Sequence, residues 1–501
     1  MQRALPGAEA GTPALDDTAI EAVLDNPDGS QGQGGRPQSS AASVTINGAA
    51  ARSCPSGGGD GDGDAEGRRL VTRLVRDKHG RFDFVRGSRL VNNLPFIVGF
   101  MELGNAGDFA ANVWNDVPVP IYAIVFMAIG GVVAGVLSVF AFRDAFVSCR
   151  NVLFLRLQRR EIEAERQRRV ESGEPLLDIN VYRAVTFREF GSETIARWFM
   201  DILLGFGAVL ICIGTFMAIG GANYNVWFAS NLLSGYIGNA PIAFYGLVNS
   251  GWCWYIFSKA QHHIEATAAP LKGSRAAALI KRRSRNVQTF CLINGTATIL
   301  GGVGSMITAT RWWGYVILIP VIMSSVFCNV WWRRRVGYTR AWAKPATFPA
   351  LVPGELVANL EFAARAEVTI RENLDDPLEQ FVADSTSLPD VLAFLERYDL
   401  FDDFCLRVIS SVPEACSALG GSQSTCNELN IGVGEILALD KSLHAQLLDA
   451  AQGCMRELGA EHFRNCERYT AELLGTYYLI AGNVDFDGIE DAGGATESSE
   501  K

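Results

Sequence analysis

Between residues 117 and 332 the chain carries five long apolar segments joined by arginine-rich loops. They cover about residues 117–142, 198–220, 228–257, 287–308 and 312–332. A helix needs about 20 residues to cross about 30 Å of hydrocarbon, so each segment is long enough to span a bilayer. Backbone polar groups in hydrocarbon must be satisfied within the segment, and a helix does this. The expected fold is all-α: a multi-pass transmembrane helical bundle with a helical C-terminal region and a disordered N-terminus.

Charge sorts the loops. Residues 143–197 hold eleven Arg, residues 259–285 hold seven bases, and Arg333, Arg334, Arg335, Arg340 and Lys344 follow the last segment. The intervening loops hold no base and one base, Arg311. Lys and Arg accumulate on the cytosolic side of a membrane, so the basic loops and the C-terminus are expected in the cytosol. Five spans would then place the N-terminus on the other side. Trp227, Trp312, Trp313, Trp331 and Trp332 stand at span ends, as an interfacial aromatic belt requires. The net charge of -10 hides an asymmetry, because residues 345–501 hold 28 acids and 9 bases.

The flanking regions differ from the spans and from each other. Residues 1–67, rich in Gly, Ala, Ser, Pro and Asp, bury too little apolar surface to offset their ordering entropy and are expected to be disordered. Residues 68–116 read as a small basic or interfacial unit. In it, Asp77-Lys78-His79-Gly80 suggests a hairpin turn, and Leu94 to Met101 is apolar but too short to span, so it is expected at the interface or packed on the bundle. In the first span, Gly131 and Gly135 have the spacing that lets a second helix approach closely. Arg143 to Arg169 lacks Gly and Pro and is expected to extend the helix beyond the membrane, until Gly173 and Pro175 end it. Pro241 falls inside the third span, where a kink is expected. Residues 343–483 form an acidic helical region, with apolar residues at three- and four-residue spacing over Leu388–Leu406 and Ile436–Leu458. Residues 484–501 are expected to be a disordered tail.

Candidate chemistry is sparse. The spans as drawn contain no mid-segment Glu, Lys, Arg or His, and Asp201 falls in the first turn of the second span, where it suits a helix N-terminus. The polar mid-span residues are the amides Asn231, Asn239, Asn249, Asn294 and Asn329, which can bond neighbouring helices or line a path for a neutral solute. The cysteines form no CxxC pair, and His262-His263 point different ways on a helix, so no metal site, cofactor or catalytic residue is expected. No phosphate-binding or nucleophile motif occurs.

The layout of low-complexity N-terminus, Arg-rich loops and acidic helical tail resembles that of uncharacterised multi-span membrane proteins of filamentous fungi. The resemblance implies no site residue; it suggests an accessory role in a fungal pathway. The expected function is a non-enzymatic anchor or organiser in a lipid bilayer, gathering cytosolic protein partners through residues 343–483, with no nucleic-acid role. The alternative is a transporter or channel for a neutral or apolar solute.

Overall fold

The computed structural model describes residues 71–493 apart from 79, 86, 115–117, 342–347, 374 and 421–426, with side chains to Gly482. The tract 1–67 and residues 494–501 lie outside the described residues.

Four helices are long and apolar enough to cross a membrane: α2 (Ile121–Ser172), α3 (Leu177–Ala218), α6 (Arg275–Thr308) and α7 (Gly314–Val336). They match the first, second, fourth and fifth expected spans. As expected, α2 continues past the apolar stretch, and Gly173 ends it in the left-handed conformation at φ 71°. The third expected span is divided. Helix α4 (Tyr224–Ser230) continues as a π turn, Asn231–Ile237, and α5 (Ala240–Ala268) starts after a break at Gly238–Asn239. The break has a chemical cause. Gly238 N–H bonds back to the Leu233 carbonyl, the Asn239 amide caps the next carbonyls, Ser234 and Gly235, at 3.3 and 3.0 Å, and Pro241, which has no N–H to give, stands in the first turn of α5. The two pieces follow α3 in sequence, with Ser234 against Gly214 and Gly238 against Gly207, so they make one passage in a single direction.

Of the two expectations for the segment around Leu94–Met101, interfacial or packed on the bundle, the structure shows the second. Phe96–Ala106 is a 3₁₀ helix, followed by α1 (Phe109–Val113). The pair runs antiparallel to α7, with Gly99 against Val326 and Asn329, and Asp108 bonded to Tyr315. A 3₁₀ helix rises about 2.0 Å per residue against 1.5 Å in an α-helix, so its 11 residues cover roughly 22 Å. Adding the short α1 brings the passage close to the roughly 30 Å of a bilayer core.

This passage settles which end of the bundle the N-terminal strands occupy. Strand β1 (Thr72–Arg76) pairs antiparallel with β2 (Phe82–Phe84), turning at Gly80 with φ 78°. On its other edge β1 pairs with β5 (Glu428–Ile431), Thr72 facing Ile431. Strand β3 (Arg89–Leu90) pairs with β4 (Arg340–Ala341), just past α7. Residues 72–90 therefore sit at the same end as the C-terminal region, whereas five crossings would have put them at opposite ends. Their bases meet its acids. Arg73 bonds Glu428 at 2.7 Å, and Arg89 bonds Asp402 and Asp403 at 3.2 and 2.8 Å. The expected unit 68–116 is thus two structures, strands in the C-terminal domain and a helical passage in the bundle.

The C-terminal domain packs α8 (Pro353–Glu372), α9 (Leu388–Arg397), α10 (Phe401–Ser411), α11 (Pro413–Ala418), α12 (Val433–Leu437) and α13 (His444–Cys454) around Leu74, Leu392, Phe404, Val408, Leu447 and Phe463. The final helix, α14 (Ala460–Gly493), continues through Gly482, past its expected end. A second core joins α14 and α8 to the basic ends of α2, α3 and α6 through Ile179, Tyr182, Ile280, Leu360 and Leu474.

Glycines let the passage sit inside the bundle. A Cβ on Gly130 would lie 2.0 Å from the Gly107 carbonyl oxygen, whereas one on Gly251 would meet nothing within 4 Å. Gly131 and Gly135 face Phe216 and Cys212 of α3, so their close approach is used within the chain. Gly130→Ala is expected to lower stability by about 1–3 kcal/mol through overpacking. Gly251→Ala is expected to leave it unchanged or raise it by under about 1 kcal/mol. Thermal unfolding of both variants in detergent checks the contrast.

Candidate functional site

The 3₁₀ geometry places chemistry in a row. With three residues per turn, side chains at i and i+3 eclipse, so Glu102 and Asn105 align and Asp108 follows just beyond the last turn. All three are buried, Asp108 completely. Asn105 donates to Glu102 Oε2 at 2.6 Å. Tyr315 donates to Asp108 Oδ1 at 2.9 Å, and Asn112 donates to Asp108 Oδ2 at 2.8 Å. Glu102 otherwise faces Gly301 of α6, and no Arg, Lys or His among the described residues pairs with it. A buried carboxyl without a counter-charge is costly to ionise. Such groups inside membrane proteins mark ion and proton routes.

A second polar group lies nearer the basic end. Arg197, in a π turn of α3 (Thr194–Phe199), donates to Asp144 of α2 at 2.8 and 3.3 Å and to Asn93 Oδ1 at 2.6 Å. Asp201 is fully buried beside this pair. This corrects its expected role as an interfacial cap. Tyr245 of α5, also fully buried, lies within electrostatic reach of both Asp201 and Glu102. Buried polar groups therefore occur at successive heights from Asp108 at the far end to Asp144 at the basic end.

A third group joins the bundle to the C-terminal domain. Glu472 of α14 takes two hydrogen bonds from Arg188 of α3 and one, at 2.9 Å, from Arg283 of α6. Arg188 also donates to Tyr338 at 2.8 Å, and the Tyr338 hydroxyl donates to Glu189 at 2.6 Å. Arg340 pairs with Glu189 and donates to Gln158 at 2.7 Å. Arg468 of α14 holds the carbonyls of Arg334 and Gly337. Burial alone would raise the Glu472 pKa, but Arg188 and Arg283 outweigh it and hold the carboxyl at about 2. His263, beyond the apolar part of α5, contacts Thr476 at 3.2 Å, and burial followed by Lys259 lowers it to about 3. A cavity of about 30 Å³ lies among Arg188, Lys259, His263, Arg283 and Glu472. That is room for water, far below the several hundred Å³ of a small-molecule site.

The amides singled out in the sequence are spread over several interfaces. Asn239 bonds the Ser305 carbonyl at 3.0 Å, Asn249 bonds Thr298 at 3.2 Å, and Asn329 bonds the Pro95 carbonyl at 3.1 Å. Each of these three keeps a buried amide oxygen with no donor. Asn294 approaches Cys253 Sγ at 3.6 Å, and Asn231 is half-buried at the start of the π turn. The structure does not gather them into one site. The acids that matter more, Glu102 and Asp108, were legible as two carboxyls and an amide at three-residue spacing in an apolar stretch. Among the described residues no group of His, Cys, Asp and Glu is arranged to hold a metal ion.

No family model, curated protein or solved structure matches the chain.

Removing the Glu472 charge leaves Arg188 and Arg283 buried without their counter-ion. Glu472→Gln is expected to cost on the order of 3 kcal/mol and to expose the C-terminal domain to protease, while the exposed Glu379→Gln changes neither. Acid should act in the same direction. Both pKa values are depressed, so the undocked state takes up protons first as pH falls. Docking is expected to be complete above about pH 6.5, to weaken below it as undocked His263 protonates, and to lose the Glu472 contribution between about pH 4 and 2. Proteolysis across a pH series with an acid-stable protease checks both steps.

Proposed function

We propose that this chain is a multi-pass membrane transporter for cations, with its route along the 3₁₀ passage and its C-terminal domain in the cytosol as a docked part of the same machine. Glu102 carries the reading: a buried carboxyl, without a basic partner among the described residues, on a non-α-helical element inside the bundle. Irregular backbone at membrane depth is tolerated where protein or a water-filled path surrounds it, and interrupted helices recur at transporter binding sites. The break at Gly238–Asn239 is a second interruption.

Orientation follows from charge and parity. The basic loops lie at the end that bears the C-terminal domain, and positive charge favours the cytosolic side. Counting the 3₁₀ passage and the divided α4–α5 passage gives an even number of crossings, which returns residues 72–90 to that side. The organiser role expected from the sequence rested on a membrane part free of buried acids. Glu102, Asp108 and Asp201 remove that ground. The docked C-terminal domain also fits a moving machine better than a free tether, because its α14 helix bonds two of the spanning helices.

Reconstituted vesicles test this. With proton, sodium and potassium gradients imposed in turn, the protein is expected to carry flux of one of these cations, and Glu102→Gln to reduce it at least tenfold while eluting as a folded particle. Inserted protein without cation flux, or full flux in folded Glu102→Gln, overturns the reading. In intact cells, cysteines placed at Lys78 and Glu379 are expected to resist an impermeant thiol reagent and to react after permeabilisation. Labelling of either one in intact cells contradicts the shared cytosolic side.

A further inference from the structure

Asp201 presents a problem that protein donors do not solve. It is 0% exposed, and neither carboxyl oxygen receives a hydrogen bond from a described N–H or O–H group. Its neighbour is the Asp144 carboxyl, 1% exposed, on the face of α2 that α3 meets at close range one turn away, where Gly205 packs on Ala141. Arg197 is turned away from Asp201. Its Nη2 and Nε bond the two oxygens of Asp144 at 2.8 and 3.3 Å, and its Nη1 bonds Asn93 and lies 3.5 Å from Glu193. The groups facing Asp201 are Asp144 from α2, Glu193 and Arg197 from α3, and Tyr245 from α5. Asp144 and Glu193 thus pair with the guanidinium, and Asp201 receives no hydrogen bond from it. Asn151 satisfies part of Glu193 at 3.1 Å, which leaves the Asp144–Asp201 contact as the place where charge and hydrogen bonding fail to balance.

A proton corrects both deficits. Two carboxylates in contact at this burial repel each other, and a single proton removes the repulsion and supplies the missing donor. The O–H of one acid then donates to the other carboxylate, and Arg197 balances the remaining charge. The pair titrates as a unit, so the proton belongs to both residues. A metal ion is a poorer occupant, because the Arg197 guanidinium already covers both oxygens of Asp144.

We propose that Asp144 and Asp201 form a proton-binding site at the basic end of the bundle, which holds one proton as an acid–carboxylate pair. That the proton is a transported or coupling ion rests on the transport reading above; that it is bound does not.

The test is infrared difference spectroscopy of the purified full chain in nanodiscs, stepping pH across the neutral range, with aspartate labelled at the side-chain carboxyl carbon with carbon-13. The expected result is a carboxylic acid C=O band that shifts with the aspartate label and disappears in Asp201→Asn. That variant should remain folded, because its amide N–H₂ provides a permanent donor to Asp144. An absent protonated aspartate band in wild type overturns the site, and so does a band unchanged in folded Asp201→Asn. If Asp201→Asn fails to fold, Asp144→Asn and Asp108→Asn stand in for it: a labelled band lost in folded Asp144→Asn and kept in Asp108→Asn supports the site, and a band lost in Asp108→Asn but kept in Asp144→Asn belongs to the other buried aspartate and overturns it. Vesicle flux separates the two claims. A labelled band without flux keeps the site and defeats the transport reading, and flux without the band does the reverse.

Discussion

Three helices of the membrane half, α2, α3 and α7, meet on one stretch of backbone, Phe96–Ala106, that runs along the bundle as a 3₁₀ helix. Its longer rise lets 11 residues reach where an α-helix would need more, and its threefold period stacks polar side chains in a row. Such a helix has poorer hydrogen bonding than an α-helix and is supported here on one face, while Phe96 and Leu103 on the other stay exposed. Gly107 meets Gly130 backbone to backbone, Gly104 meets Ala208 and Leu137, and Gly99 meets Asn329. Small residues at these contacts are what allow a segment carrying Glu102 and Asp108 to be enclosed.

The same segment organises the ends of the molecule. Its entry is fixed by Asn93, held by Arg197, and by Val91, whose carbonyl takes a bond from Asn151. Because the chain is carried across before α2 begins, the β1–β2 hairpin returns to the C-terminal domain and completes a sheet with β5. Glu472 then locks α14 to α3 and α6 with two arginines. A buried ion pair is a weak net source of stability, but breaking one is expensive. Such a lock is therefore best suited to fixing how the domain sits on the helices.

Much of the helical frame was legible in the sequence. Four spans, the extension of α2, its stop at Gly173 and the turn at Gly80 follow from apolar run length, helix formers and glycine. Pro241 announced a disturbance in the third span, and the structure turns that into the break at Gly238–Asn239. What stayed hidden depended on pairing across long sequence separations. Nothing local says that Thr72 pairs with Ile431, or that Arg188 and Arg283 converge on Glu472. Glu102 and Asp108 stayed hidden because their segment is short, and only its packing along α7 and α2 shows that both acids are buried. Asp201 looked like a cap from its position in the first turn, and only the approach of Asp144 shows its other role.

The central claim is that the row Glu102–Asn105–Asp108 borders a hydrated route through the bundle. Its most direct test is the reactivity of a cysteine at Asn105 toward a small cationic thiol reagent, in vesicles, compared with a cysteine at the lipid-facing Ile129. Thiols react as thiolates and need water, so position separates them. A hydrated route predicts that the cysteine at 105 reacts, that modification blocks flux, and that the cysteine at 129 stays inert. A cysteine at 105 as unreactive as the one at 129 would show a sealed, dry passage and contradict the account.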